Sequence, residues 1–215
     1  GGFFFFFLRH TYFDSACRAE PVRIALFIAG IPFEDRRLKF PEFSAMRAEG
    51  AFPLGSLPVL EIDGRAMTQT GAMLRYVAHL GGHDLYPTDA RAAFVVDSVI
   101  DTLNDTVSHA LIPSLFERDM EKKLAMRRAL VAGPLTLALR YIEGDFTEGL
   151  GPFLTGPNLT VGDIVLGLSV QQYRSGVLDG IGPEVLEPYP RLRALGDAYA
   201  AHPAIVAYGK RGAAA

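Results

Sequence analysis

Leu57-Pro58-Val59-Leu60-Glu61-Ile62-Asp63-Gly64-Arg65-Ala66-Met67-Thr68-Gln69-Thr70 is the stretch that decides the fold. An X–Pro bond can be cis at modest cost, and a cis bond bares the preceding residue's N–H and C=O at a bend. The segment beyond it reads as two short strands, Val59 to Ile62 and Arg65 to Thr68, closed by Asp63-Gly64. That dipeptide is the strongest short turn signal in the chain, because both central residues of a tight hairpin need positive φ. Thr70 to Leu80 then carries a helical period.

Upstream, Phe5 to Thr11 reads as a strand. Glu20 to Ala29 reads as a helix with Val22, Ile24, Ala25, Leu26 and Ile28 as its apolar set, Pro21 in its first turn and Gly30 at its end. Phe33 to Leu38 is a second strand, and Pro41 to Gly50 a short irregular helix or loop. The leading Gly1-Gly2 and the run Phe3 to Phe7 have no basic region and no small-residue cleavage site, so they read as part of the first strand rather than a secretion signal. The order βαβαββα describes an α/β thioredoxin-like half over residues 1–82. Gly81 to Pro87 is a linker, and the period is helical from 88 to 215, giving an all-α second domain. Its expected helices are Asp89 to Leu111, Met120 to Gly144 with a bend near Gly133-Pro134, Val161 to Tyr173 as the buried one, and Pro190 to His202 with a short final segment.

Composition narrows the classes. The 215 residues are 49% hydrophobic and 21% charged, enough for a buried core. A net charge of −3 gives no footing for nucleic acid or an anionic membrane, and no apolar run is long enough for a membrane helix. Before and including His83 there are nine basic and eight acidic residues; after it, twelve and sixteen. The second half therefore carries the acidic excess. One cysteine excludes an intrachain disulfide and fits a reducing compartment. The five histidines show no metal-ligand spacing, and there is no phosphate-binding glycine loop.

Tyr12-Phe13-Asp14-Ser15-Ala16-Cys17-Arg18-Ala19-Glu20 runs from the first strand into a helix, a junction where a polar group can meet a bound thiol. Together with Leu57-Pro58 and Gln69-Thr70, in this order and spacing, it resembles the amino-terminal domain of soluble glutathione transferases, closest to the sigma class. The resemblance spans about Thr11 to Tyr208. It implies a cytoplasmic, homodimeric detoxifying transferase that takes glutathione as co-substrate and joins it to an apolar electrophile, with no metal required. Prostaglandin-isomerising members have an aromatic tryptophan roof that this chain lacks.

The resemblance also assigns roles. Tyr12 would donate its hydroxyl proton to the glutathione sulfur; a free thiol, with a pKa of about 8.5, is only about 3% thiolate at neutral pH, and a donor aimed at sulfur favours the anion. Arg18 would add charge at the same sulfur. Leu57, with Pro58, would pair with the cysteinyl backbone. Gln69 and Thr70, at a helix start with free N–H groups, would hold the γ-glutamyl carboxylate; Thr70 as a plain helix cap is the bland alternative. Phe43 and Arg47 stand where the family commonly has Trp and Lys on the glycine carboxylate. Asp105 matches an aspartate that reaches across the dimer. Phe13, Val107 and Ile112 are candidate walls for the electrophile.

Other readings stay open. Asp97, Asp101 and Asp105 recur every fourth residue, which reads first as a solvated face, second as a dimer cleft and third as a divalent-cation site. Cys17 aligns with a structural cysteine, expected buried and inert, although a mixed disulfide with glutathione is the alternative. Thr160-Val161-Gly162-Asp163 reads as a capping box that serves folding. The rival functions are a non-catalytic binding or structural protein on the same fold, such as a lens-crystallin relative or a translation-factor domain; a glutathione-dependent isomerase or peroxidase; and a reductase working through Cys17.

Overall fold

Residues 7–81, 85–145 and 151–212 are described by the computed structural model. The expected strand over Phe3 to Phe6 lies outside them. Phe7 precedes the first strand rather than joining it: it is half exposed, with the Arg9 guanidinium 5.0 Å from its ring centroid.

The first unit, up to Leu85, is built on a four-stranded sheet in the order β2-β1-β3-β4. Strand β1 (Leu8–Phe13) leads through a 3₁₀ turn (Cys17–Ala19) into α1 (Glu20–Ile28), and β2 (Glu34–Leu38) returns parallel to β1 with His10 opposite Asp35 and Tyr12 opposite Arg37. Helix α2 (Phe40–Ala48) is regular, correcting the expectation of an irregular segment; the Lys39 N–H donates to the Glu42 carboxylate at 2.7 Å, which caps its start. Strands β3 (Val59–Ile62) and β4 (Arg65–Met67) form the hairpin around Asp63-Gly64, where φ is 49° and 81°. Strand β3 runs antiparallel to β1, and α3 (Thr70–Leu80) packs against α1. The Arg9 guanidinium of β1 joins the neighbouring strands β2 and β3 on one face, meeting Glu34 at 2.8 Å and Glu61 at 3.3 Å.

The second unit, from Tyr86, is helical: α4 (Ala90–Thr106), α5 (Ile112–Phe116), α6 (Met120–Leu130), α7 (Thr136–Asp145), α8 (Val161–Arg174), α9 (Pro190–Ala201) and α10 (Pro203–Gly212). The long helix expected over Asp89 to Leu111 instead widens into a π-helix at Val107–Leu111, and a second π-helix, Val131–Leu135, separates α6 from α7. Pro113 follows the first stretch by two residues, and Pro134 lies inside the second. Proline has no N–H to give the fourth carbonyl before it and its ring crowds that carbonyl. The wider turn relieves the crowding, and the Ile112 N–H bonds the Val107 carbonyl five residues back. Helix α8 is buried nearly all round, with Val161, Ile164, Leu166 and Val170 fully inside. It packs closely on α9, where a Cβ on Gly167 would run into the Tyr199 ring and one on Gly196 into the Val170 side chain. Among the described residues no helix is long and apolar enough to cross a membrane.

Candidate active site

Tyr12 sits one residue before the end of β1, with its ring in a cluster made by Ala19, Leu38, Phe43, Phe52, Leu57 and Val59. The sequence separates these residues by up to 47 positions, and the sheet register brings them together. The half-buried Phe13 packs against this cluster, edge-on to Tyr12 at 5.3 Å and to Phe43 at 5.1 Å, and stacked on the exposed Phe40. Phe43 is itself buried and stacked on Phe52 at 5.5 Å. Without a ring N–H, it can wall a ligand but cannot hydrogen-bond one.

The Tyr12 hydroxyl lies close to the Arg18 backbone N–H and to the Cys17 thiol. Burial, followed by the neighbouring Cys17 thiol, pushes the phenol well above the usual tyrosine range; the Arg18 N–H and charge oppose this. Tyr12 is therefore a protonated donor across the physiological range. Arg18 is half-buried, and its Nε is buried with no partner among the described residues.

Cys17 departs from the sequence expectation. It is exposed rather than buried, and its φ of 38° lies in the left-handed region that side chains disfavour. Cys17 opens the 3₁₀ turn after the Asp14-Ser15-Ala16 bend, and turn exposure replaces the helical burial that the spacing suggested.

The Leu57-Pro58 peptide is cis, directly before β3, and Leu57 and Pro58 are both buried. Arg47 is exposed at the end of α2 and lies over the loop, where a Cβ on Gly55 would meet its Nε at 3.3 Å. At the head of α3, Gln69 is exposed with a φ of 77° and makes no side-chain cap. Thr70 is not a cap either. It is the first helical residue, 3% exposed, and its hydroxyl has no hydrogen-bond partner among the described residues. An unpaired buried hydroxyl beside free helix N–H groups is a fitting cradle for a carboxylate.

In the second unit, Asp105 is exposed near the end of α4, Val107 is half-buried in the first π-helix and Ile112 half-buried at the start of α5. Asp97 accepts from the Tyr86 hydroxyl at 2.9 Å, so the acidic stripe is not three equivalent carboxylates. Among the described residues no group of three or more His, Cys, Asp or Glu is arranged to hold a metal.

Sequence reasoning overlooked Arg23. It is 1% exposed inside α1 and donates to the Ser15 carbonyl at 2.8 Å, to Asp35 at 2.9 Å, to Glu20 at 3.2 Å and to the Phe13 carbonyl at 3.5 Å. The signal that finds it is periodic. Ala19 and Leu26, four before and three after, are both fully buried, which places Arg23 on the inward face.

The comparisons follow this architecture. The family model described as glutathione S-transferase, N-terminal domain, matches residues 9–79, and the one described as glutathione S-transferase, C-terminal domain, matches residues 104–212. The chain is 30% identical over 193 residues to glutathione S-transferase S1 of Drosophila melanogaster, covering 87% of this chain and 71% of that protein. It is 28% identical over 203 residues to hematopoietic prostaglandin D synthase of Homo sapiens, covering 94% of each. The solved glutathione S-transferase of Ascaris lumbricoides superposes with a TM-score of 0.78 at 26% identity, covering 95% of this chain and 97% of that one. With both domain models matched in order, and a thioredoxin-like sheet followed by a helical unit, the chain belongs to the glutathione S-transferase family and is a glutathione S-transferase enzyme.

Proposed function

We propose that this transferase activates the glutathione thiol through Tyr12 and passes the thiolate to an apolar electrophile, as a sigma-class-like, cytoplasmic homodimer. The observation that carries the reading is the Tyr12 phenol: buried, held protonated, and fixed by the rings and side chains packed around it. A neutral donor stabilises a thiolate over a thiol, and the thiol proton leaves to solvent. Lowering a thiol pKa by about two units is worth about 2.7 kcal/mol and makes the anion dominant at neutral pH.

Arg18 supplies positive charge near the same sulfur. Leu57, beside Pro58, offers backbone to the cysteinyl residue. Thr70 and Gln69 receive the γ-glutamyl carboxylate, and the unpaired Thr70 hydroxyl is the group that most favours this. Arg47 and Phe43 serve the glycine end, the first as cation and the second as apolar wall. Asp105 faces the partner's glutathione in the proposed dimer, and Phe13, Val107 and Ile112 contribute apolar surface to the electrophile.

The test is an ultraviolet titration of the bound thiolate in wild type and Tyr12→Phe. The expected outcome is a bound-thiol pKa about two units higher in the variant, with turnover at pH 7 down about 25-fold and glutathione affinity within about twofold. An unchanged pKa removes Tyr12 from the mechanism.

Cys17 favours one second reading, since its thiol is exposed beside the Tyr12 hydroxyl. There, Cys17 attacks a glutathione disulfide, takes up one glutathionyl group and releases the other as a thiolate. Disulfide-reductase activity lost in Cys17→Ala but kept in Tyr12→Phe would establish it; conjugation kept in Cys17→Ala separates it from the main reading.

A further inference from the structure

We propose that Arg23 is a positioning residue for thiolate formation: its guanidinium fixes the turn after β1 and so sets the Cys17-Arg18 backbone that lies beside the Tyr12 hydroxyl. This rests on the Tyr12 reading above and adds a residue that does not itself touch glutathione.

The turn from Phe13 to Cys17 has little to hold it from within. It makes one short backbone bond, Ser15 N–H to Phe13 carbonyl at 2.7 Å; Asp14, Ser15, Ala16 and Cys17 are all exposed; and Cys17 sits at an unfavourable φ. Such a conformation persists only where surrounding groups over-determine it. Arg23 supplies those groups from the buried side. One guanidinium nitrogen donates to the Ser15 carbonyl at 2.8 Å and to Glu20 at 3.2 Å, and the other terminal nitrogen reaches the Phe13 carbonyl at 3.5 Å. Its Nε is anchored on Asp35 of β2 at 2.9 Å. Asp35 in turn holds Arg37 at 3.0 Å, and Arg37 holds the Asp14 carboxylate at 2.8 Å. The turn is therefore gripped at both edges by a chain that converges on one aspartate.

The geometry suits arginine and not lysine. A planar fork serves several acceptors at fixed angles, whereas an ammonium is a single point on a flexible stem. Burying a guanidinium is costly unless every donor is used, so a 1% exposed arginine spent on two backbone carbonyls of an otherwise loose turn points to that turn's shape as its purpose. The charged and titratable groups facing it are Glu20 of α1, His10 of β1, and Asp35 with its partner Arg37 of β2. His10 is fully buried and its pKa is depressed to about 4 by burial and by the Arg23 charge, while the Arg23 and Arg37 bonds hold Asp35 below the usual carboxylate range. Neither group changes charge between pH 6 and 10, where the bound thiol titrates.

The experiment titrates bound glutathione between pH 6 and 10 in wild type, Arg23→Lys, Tyr12→Phe and the double variant, with dissociation constants in parallel. Arg23→Lys keeps a cation for Asp35 and loses the fork. The expected result is a bound-thiol pKa about one unit higher, meaning about tenfold less thiolate at pH 6, with glutathione affinity within about twofold. The double variant should match Tyr12→Phe alone, because both act through one hydroxyl. A wild-type pKa in Arg23→Lys, with Tyr12→Phe shifted, overturns the role of Arg23 and leaves Tyr12 standing. An unshifted Tyr12→Phe overturns both. Should Arg23→Lys fail to fold, Asp35→Asn decides: it weakens the anchor while keeping Arg23. A pKa about half a unit higher supports the proposal, and no change overturns it.

Discussion

Thr70 is the residue where the site's chemistry and the fold's economy pull apart. Its hydroxyl is buried without a partner among the described residues, which lowers stability by about 1–3 kcal/mol in the free protein. Thr70→Val keeps the shape and removes the orphan. We expect a slightly higher melting temperature and glutathione affinity about tenfold weaker or more, since a hydrogen bond to a carboxylate is worth about 1.5–3 kcal/mol; thermal scanning and equilibrium titration read the two effects. At this scale much of the site was legible. Tyr12, Leu57-Pro58 and Gln69-Thr70 each stand at a strand or helix end that the sequence pattern marks. Cys17 was not legible, because its left-handed backbone and exposure come from a turn that Arg23 grips from the helix that follows. Thr70 as a helix cap was a fair local expectation, but capping requires the residue before the helix, and Gln69 holds that place.

Among the elements, α8 shows how a motif stands for a larger structure. The Asp163 carboxylate accepts from the Thr160 N–H at 2.8 Å, the Thr160 hydroxyl at 2.6 Å and the Leu154 N–H at 2.8 Å. Thr160-x-x-Asp163 announces the first two bonds in the sequence, while the third ties the helix start to a loop nine residues back. Burial outweighs the pull of these donors and leaves the Asp163 carboxyl raised to about 6. Asp163→Ala leaves two buried N–H groups unpaired and is expected to cost about 3 kcal/mol, or about 10 °C in melting temperature for a chain of this size, measured by thermal scanning. The π-helices mark the limit of reading elements from period alone. Apolar spacing ran unbroken through Val107 to Leu111, and only the carbonyl crowding by Pro113 forced the wider turn.

For the whole molecule, acid stability follows from His10. The ring is fully buried, both nitrogens lack partners among the described residues, and Arg23 stands beside it. Its pKa falls from 6.5 to about 4 on folding, so the unfolded chain binds a proton the native state refuses across that interval. Stability is complete above about pH 6.5 and declines as pH falls toward 4, by about 3 kcal/mol from this group. His10→Leu should remove that slope and be more stable than wild type at pH 5, with no loss at pH 7; denaturant melts at both pH values test it. The order of strands and helices in the first unit, the hairpin at Asp63-Gly64, the first-turn Pro21 and the residue types able to meet a thiol and a carboxylate were all determined by the sequence alone, because turn chemistry and hydrophobic period act over a few neighbouring residues. Tertiary structure alone decided which of those residues meet: the gathering of Tyr12, Phe43 and Leu57, the inward turn of Arg23 and the orphaned hydroxyl of Thr70. Their positions depend on strand register and on the packing of α1 against α3 and the turn before it, and distances of that kind are set by contacts between segments far apart in the chain.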